Sequence, residues 1–210
     1  MPRAAIDHLT VTAPSLAAGL AYVEAALGVR AQPGGAHPRM GTHNCLLKLG
    51  PALFLEIIAV DPAAPAPARP RWFGLDRLQA DCAPRLATWV VRTDDIRAAV
   101  LAAPPALGAV EPMERGSLHW LITIPANGEL PLDGILPTLI EWGDQRHPAH
   151  NLAESGCTLR ALEAWHPEPQ PIARFLAALG LADAVQLRAS PQAGLRAHID
   201  TPAGPRTLGL

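Results

Sequence analysis

Lysine is nearly missing from this chain. Of its 17 basic residues only Lys48 is a lysine, and the rest are arginines. Charge as a whole is sparse, at 17% of residues with a formal net of −2. No basic cluster exists to track a phosphate backbone, which excludes a nucleic-acid binder, and no acidic run forms a tail. No apolar stretch approaches the ~20 residues of a membrane-spanning helix, so no membrane partner is expected. Met1-Pro-Arg-Ala-Ala-Ile-Asp7 enters a strand directly, so no signal peptide is expected. Only three cysteines occur: Cys45, Cys82 and Cys157. An odd number without metal-ligand spacing excludes a disulfide framework and points to free thiols in a reducing cytosol. Also absent are Gly-x-Ser-x-Gly, the phosphate-binding loop, the dinucleotide fingerprint and His-Glu-x-x-His.

Apolar residues make up 49% of 210. That is ample for one large domain or two small ones. The most informative stretch runs from Met40 to Pro62. It reads as two strands, 42–49 and 52–60, around a tight Gly50-Pro51 turn. In the second, Leu53, Leu55 and Ile57 point one way, while Phe54, Glu56 and Ile58 point the other. Glu56 is thus a carboxylate inside an apolar strand, where it needs a partner, a hydrogen bond or a metal.

The rest of the chain repeats this pattern. Residues 6–13 alternate, with His8, Thr10 and Thr12 on one face. Ser15 is a plausible N-cap for a helix carrying Leu16, Leu20, Val23 and Leu27, and Gly28 ends it. Residues 29–40 hold a short strand and a Gly/Pro loop. The segment 61–70 is Pro/Ala-rich, a linker or lid, and 71–83 a short helix over a pocket mouth. A strand at 86–93 follows, then a helix capped by Asp94-Asp95 and stopped by Pro104-Pro105. Further strands are expected at 109–115, 117–124 and 137–142, the last containing Glu141. A third, shorter copy has a strand at 159–165, a helix with Ile172, Phe175, Leu176 and Leu179 ending at Gly180, and strands at 184–189 and 195–200. Self-similarity of roughly 75 residues is the strongest organisational signal.

A repeated β-α-β-β-β unit resembles the vicinal oxygen chelate superfamily, which includes glyoxalase I, extradiol dioxygenases and bleomycin-resistance proteins. The opening "IDHLTVTAPSLAAGLAYVEAALGV", with "GTHNCLLKLG" and "LFLEIIAVDP", is similar to the glyoxalase-like domain family. The resemblance implies an α+β fold, in which βαβββ modules pair into a curved mixed sheet around a cup. It places the first module at 1–62, a linker or lid at 63–84, the second module at 85–150 and a third, partial module at 157–210. Carried over by position, the metal ligands it implies are His8, Glu56 and Glu141. The fourth position holds Thr88, which departs from the pattern and argues against glyoxalase I chemistry. The cofactor implied is a divalent cation (Zn, Ni, Fe, Mn or Mg), and the partner is a small molecule. The resemblance leaves room for a homodimer.

Each candidate has a plainer reading. His8 is a ligand or a hydrogen-bonded core histidine. Glu56 and Glu141 are ligands or general bases, or strand carboxylates paired with arginine. Asn44 or His43 lines the cup, but not both, because neighbours in a strand face opposite ways. Arg92 shares the face of Thr88 and clamps a substrate carboxylate or makes a surface ion pair. Trp72 and Trp120 wall the pocket or pack the core. His147 and His150, beside Pro148, read as loop. Two functions follow. One is a metal-dependent lyase, isomerase or dioxygenase on a small oxygenated substrate. The other is a metal-free protein that sequesters a small molecule.

Overall fold

The computed structural model describes residues 3–143 and 146–210. The first run of elements is β1 (Ala4–Thr12), α1 (Leu16–Leu27), β2 (Gln32–His37), β3 (Thr42–Gly50) and β4 (Leu53–Val60). Helix α1 begins where the Ser15 side chain accepts from the Ala18 N–H. It ends where Gly28, at φ 69°, returns its N–H to the Glu24 carbonyl. Only glycine takes that left-handed backbone without steric cost. The second run repeats the order: β5 (Arg85–Thr93), α2 (Ile96–Val100), β6 (Ala109–Arg115), β7 (Leu118–Ile124) and β8 (Thr138–Glu141).

These strands form one sheet in the order β2-β3-β4-β1-β5-β8-β7-β6. Strand β1 pairs with β4 in parallel, β5 pairs with β8 in parallel, and β1 joins β5 antiparallel. The order therefore reads alike from either end, and the two modules meet at the β1–β5 seam. The curl brings the outer strands β2 and β6 together. Arg39 crosses the gap, bonding the Pro112 carbonyl at 2.7 Å and pairing with Glu111.

Alternation along the strands sorts the two faces. Leu9, Val11, Leu55, Ile57, Trp89, Val91 and Leu139 face outward into one large core. Ile58, Val90, Ile122 and Ile140 face inward, with Trp72, Phe73 and Trp120, into a second cluster inside the cup. The outer core is closed by a third run: β9 (Thr158–His166), α3 (Gln170–Ala178), β10 (Gln186–Ala189), β11 (Gly194–Thr201) and β12 (Gly204–Gly209). Leu162, Ala164, Leu195, Ala197 and Ile199 of its sheet, with Phe175 of α3, pack into the same cluster. The element order repeats but the pairing does not. Here the first strand, β9, lies between β10 and β11, so this sheet covers the cup's back and does not extend it. Among the described residues no helix is long and apolar enough to cross a membrane.

One strand differs from the sequence reading: β12 follows 200, where no strand is expected. The short strand expected within 29–40 is β2, an edge strand at 32–37. Both contain proline, at Pro33 and Pro205, and both lie at sheet edges. An edge tolerates the missing N–H that argues against a strand elsewhere.

The 3-10 turn Trp72–Arg77 lies over the cup, with Trp72 and Phe73 buried. Arg71 fixes it, donating from its backbone N–H and its guanidinium to Asp76 at 2.7 and 2.6 Å, and to the Gly41 carbonyl at 3.2 Å.

Candidate functional site

The site begins with an irregularity in β1. Ile6 pairs with Val91 and His8 with Val90, so Asp7 is an extra residue in a β-bulge. A bulge breaks the in–out alternation and re-aims a side chain. Asp7 Oδ1 lies 2.6 Å from His8 Nδ1. Asp7 Oδ2 accepts from Trp142 Nε1 at 2.9 Å and lies 2.9 Å from His147 Nε2. The Ala149 N–H donates to His147 Nδ1, so Nε2 carries the proton that His147 gives to Asp7. Complete burial alone would raise the Asp7 carboxyl. The hydrogen bonds of His147 and His8, with the electrostatic attraction of their N–H groups, outweigh it and hold the group well below the usual carboxylate range.

With His8 Nδ1 turned to the Asp7 carboxylate, Nε2 is the ring atom left to exchange a proton. It lies 3.7 Å from Glu56 Oε2, just outside direct hydrogen-bond reach. The His8 ring stacks on Phe54, with centroids 4.6 Å apart and planes 13° from parallel. Glu56 is held from its other oxygen, where Oε1 accepts from Asn44 Nδ2 at 2.6 Å. Asn44 Oδ1 accepts from the Gly35 N–H at 2.9 Å and from Arg115 Nη1 at 3.3 Å. Arg115 Nη1 also lies 3.3 Å from His37 Nε2, and His37 Nδ1 lies 3.1 Å from Thr42 Oγ1. A guanidinium cannot accept, so His37 Nε2 accepts and its Nδ1–H faces Thr42. Burial first, then the charges of Arg115, His8 and His43, push His37 down to about 3. It is neutral at pH 7.

These groups surround a cavity of about 40 Å³ walled by Phe54, Trp72, Phe73, Trp120 and Trp142. A wider groove of about 710 Å³ lies beside it, along β6 and β7, and shares Arg115 and Trp120 with the cup.

The structure thus brings His8, Glu56, Asn44, Trp72 and Trp120 to one cavity. The other expected residues lie elsewhere. Glu141 is corrected first. Its carboxylate accepts from the Ile96 N–H at 2.7 Å, at the start of α2. Its neighbour Ile140 is the residue that faces the cup, so Glu141 points to the opposite side. Thr88 stands across from Thr10, and Val90 takes the place opposite His8. Arg92 Nη1 is committed to the carbonyls of Ile6 and Ala52, both at 2.7 Å. His43, next to Asn44, does not line the cavity.

The expected three-ligand set is therefore not assembled. His8 Nε2 and Glu56 Oε2 are the two donors that face each other. A catalytic zinc site takes three protein ligands, and no cluster of three His, Cys, Asp or Glu able to hold a metal occurs among the described residues. The donor set does not fit a divalent cation. The sequence reading passed over Asp7, His37 and Arg115 and left His147 in a loop. The one local signal was an Asp-His pair inside an apolar strand.

A family model described as a glyoxalase-like domain matches residues 6–180. Among curated proteins none matches the chain. Among solved structures, a hypothetical protein from Staphylococcus aureus is similar, with TM-score 0.60 and 13% identity over 90% of this chain and 87% of that one. That likeness shows the fold alone. A methylmalonyl-CoA epimerase variant of Streptomyces coelicolor, in complex with 2-nitronate-propionyl-CoA, gives TM-score 0.45 and 17% identity over 67% of this chain and 97% of that one. The Mycobacterium tuberculosis epimerase gives 0.41 and 15%, over 65% and 86%. With its matched span covering most of its length and its paired βαβββ modules, the chain belongs to the glyoxalase-like domain family of the vicinal oxygen chelate superfamily.

Proposed function

We propose that the chain is an acid–base enzyme, of the isomerase or lyase kind, that moves a proton on a small oxygenated molecule held in the cup. One observation carries this. His8 Nε2 and Glu56 Oε2 face each other at 3.7 Å, and each is anchored from behind, by Asp7 and by Asn44. An imidazole fixed at Nδ1 by a buried carboxylate keeps Nε2 in place to take a proton from carbon. Glu56, facing Nε2, is the second group: its carboxylate can take that proton on and pass it to the substrate oxygen, so the C–H bond broken ends as an O–H bond. Two anchored groups lower the orientational cost of the step. Proton transfer of this kind needs no metal, which suits a cup with two facing donors. A dioxygenase reading would need a redox centre that this donor set does not fit.

Solvent exchange tests the proposal. Small ketones, 2-oxo acids and hydroxy ketones are incubated with the protein in D₂O and followed by proton NMR. At least one should lose a C–H signal next to its carbonyl. His8→Gln should slow that loss by about 10²–10⁴-fold, and Glu56→Gln should slow it as well. A second reading is a sequestering protein, favoured by the five aromatic walls Phe54, Trp72, Phe73, Trp120 and Trp142. Compounds that raise the melting temperature without any exchange would support that reading and defeat the enzyme.

A further inference from the structure

Three arginines stand where β2 and β6 converge, and two of them share one carboxylate. Arg39 and Arg69 both pair with Glu111. Arg115, the third, is half-buried and touches only neutral acceptors, His37 Nε2 and Asn44 Oδ1. No carboxylate lies within ion-pair distance of it among the described residues. A cation in reduced solvent without a counter-ion is costly, so the place is suited to an anion. Nearby, Trp72 is 4% exposed and lines the cup. Its indole N–H is buried and has no acceptor among the described residues. Buried donors are rarely left unmade unless a ligand or water completes them.

We infer that the cup binds the carboxylate of a small organic acid, with Arg115 as its anchoring cation and the Trp72 indole N–H as a second donor, while the body of the acid lies in the adjoining groove. The inference rests on the acid–base reading and names its substrate class. The sizes agree. A cavity of about 40 Å³ holds a head of a few atoms, and the groove of about 710 Å³ takes a larger body. Arg115 and Trp120 line both spaces, so an anion on Arg115 sits at their junction. The backbone makes room as well. A Cβ at Gly35 would come within 3.2 Å of Arg115 Cδ, so the small residue lets the side chain lie across β2. The anchor and the proton-moving group are also close together. Arg115 and Glu56 bind opposite ends of the same Asn44 amide. The carbon next to a carboxylate held by Arg115 is thereby brought towards Glu56 and His8.

The test uses the full chain and matched pairs: phenylacetate with phenylacetamide, and 3-phenylpropanoate with its amide. Isothermal titration gives affinity, and the Trp72 indole ¹H–¹⁵N signal, assigned with Trp72→Phe, reports the site. Each acid should bind about tenfold or more tighter than its amide and should shift the Trp72 signal. Arg115→Gln should bring the acid down to its amide's affinity and leave the amide unchanged, while Arg115→Lys should keep part of the preference. Equal affinity of acid and amide, no binding by either acid, or acid binding untouched by Arg115→Gln would overturn the inference. His8→Gln separates it from the enzyme reading, because it should slow exchange by about 10²–10⁴-fold while the preference for acid over amide persists. Acid binding on Arg115 without exchange in wild type would remove only the catalytic reading. Exchange on neutral ketones that ignores Arg115 would remove only this one.

Discussion

Glu141 hydrogen-bonds a helix N-terminus, and its replacement should behave accordingly. Glu141→Ala should lower stability by about 1 kcal/mol, the usual worth of a lost N-terminal cap, as read from urea unfolding. It should leave proton exchange on small ketones unchanged, since the carboxylate faces away from His8 and Glu56, and a loss of exchange would return Glu141 to the cup. His37 gives a pH signature. Its pKa in the folded chain is pushed down to about 3 by burial and by Arg115, against an ordinary value near ~6.5. Below that value the unfolded chain takes the proton first, so stability is fully present above it and is lost as pH falls towards the folded value. At ~1.4 kcal/mol per pH unit, the loss reaches several kcal/mol. The Asp7 carboxyl is also depressed, so its share is lost in the same direction but only at lower pH. Melting temperature should therefore fall steadily from about pH 6.5 to 4, and His37→Gln should flatten that fall. An unchanged slope in the variant would show that His37 is not the titrating group. Of the site, Glu56 and His8 were legible because an ionisable residue in an apolar strand is costly unless something pairs with it. Asp7 was not, because a bulge cannot be seen in an alternating pattern. Glu141 was misassigned by carrying a position over from the resemblance: Ile140, one residue earlier, holds the inward place, and in a strand one residue reverses the face.

Helix α1 sits very close to the sheet. A Cβ on Gly19 would lie 2.6 Å from Ile57 Cγ2 and 3.0 Å from Ala13 Cβ. Alanine would gain about 1 kcal/mol of helix propensity over glycine. It would lose about 1–3 kcal/mol through overpacking, since Ile57 lies in the outer core and cannot swing away. Gly19→Ala should therefore be neutral to destabilising, in contrast to the gain expected at an exposed helix glycine, and Gly19→Leu strongly destabilising. A more stable Gly19→Ala protein in denaturant titration would mean that α1 can lift from β4. The helices were readable because their ends are written in side chains, at Ser15, Gly28 and Asp95. Strand β12 was not, since Gly-Pro-Arg-Thr-Leu-Gly has no apolar alternation. Strand β2 was expected only as a short strand without bounds, since Gln-Pro-Gly-Gly-Ala-His has neither the alternation nor the β-propensity of a strand. Its ladder with β3 comes from tertiary pairing, and its two glycines leave space that Asn44 and Arg115 occupy.

In the whole molecule, the cup depends on what covers its back. The repeat in the sequence announced three similar units, but similar units need not pair alike, and only tertiary packing placed the third behind the other two. Its strands and α3 share one apolar core with Leu9, Val11, Leu55, Ile57 and Trp89. Its last strand packs on α1, where Tyr22 Oη accepts from the Gly209 N–H at 3.3 Å. A chain ending at residue 156 would keep every cup residue yet expose the outer face of the eight-stranded sheet. That is an apolar surface far larger than monomers leave in water. Such a chain should lose its cooperative thermal transition, bind 1-anilinonaphthalene-8-sulfonate, and keep much of its far-UV circular dichroism, the behaviour of a collapsed sheet without fixed packing. Acid binding should vanish with it, because inward-facing His8, Asn44 and Glu56 are held in register by outward-facing neighbours on the same strands. The segment 157–210, by itself, is of marginal size for a core of its own. If the shortened chain instead melts cooperatively within a few degrees of the whole protein, the cup is a self-standing unit, and the third run serves some purpose besides stability.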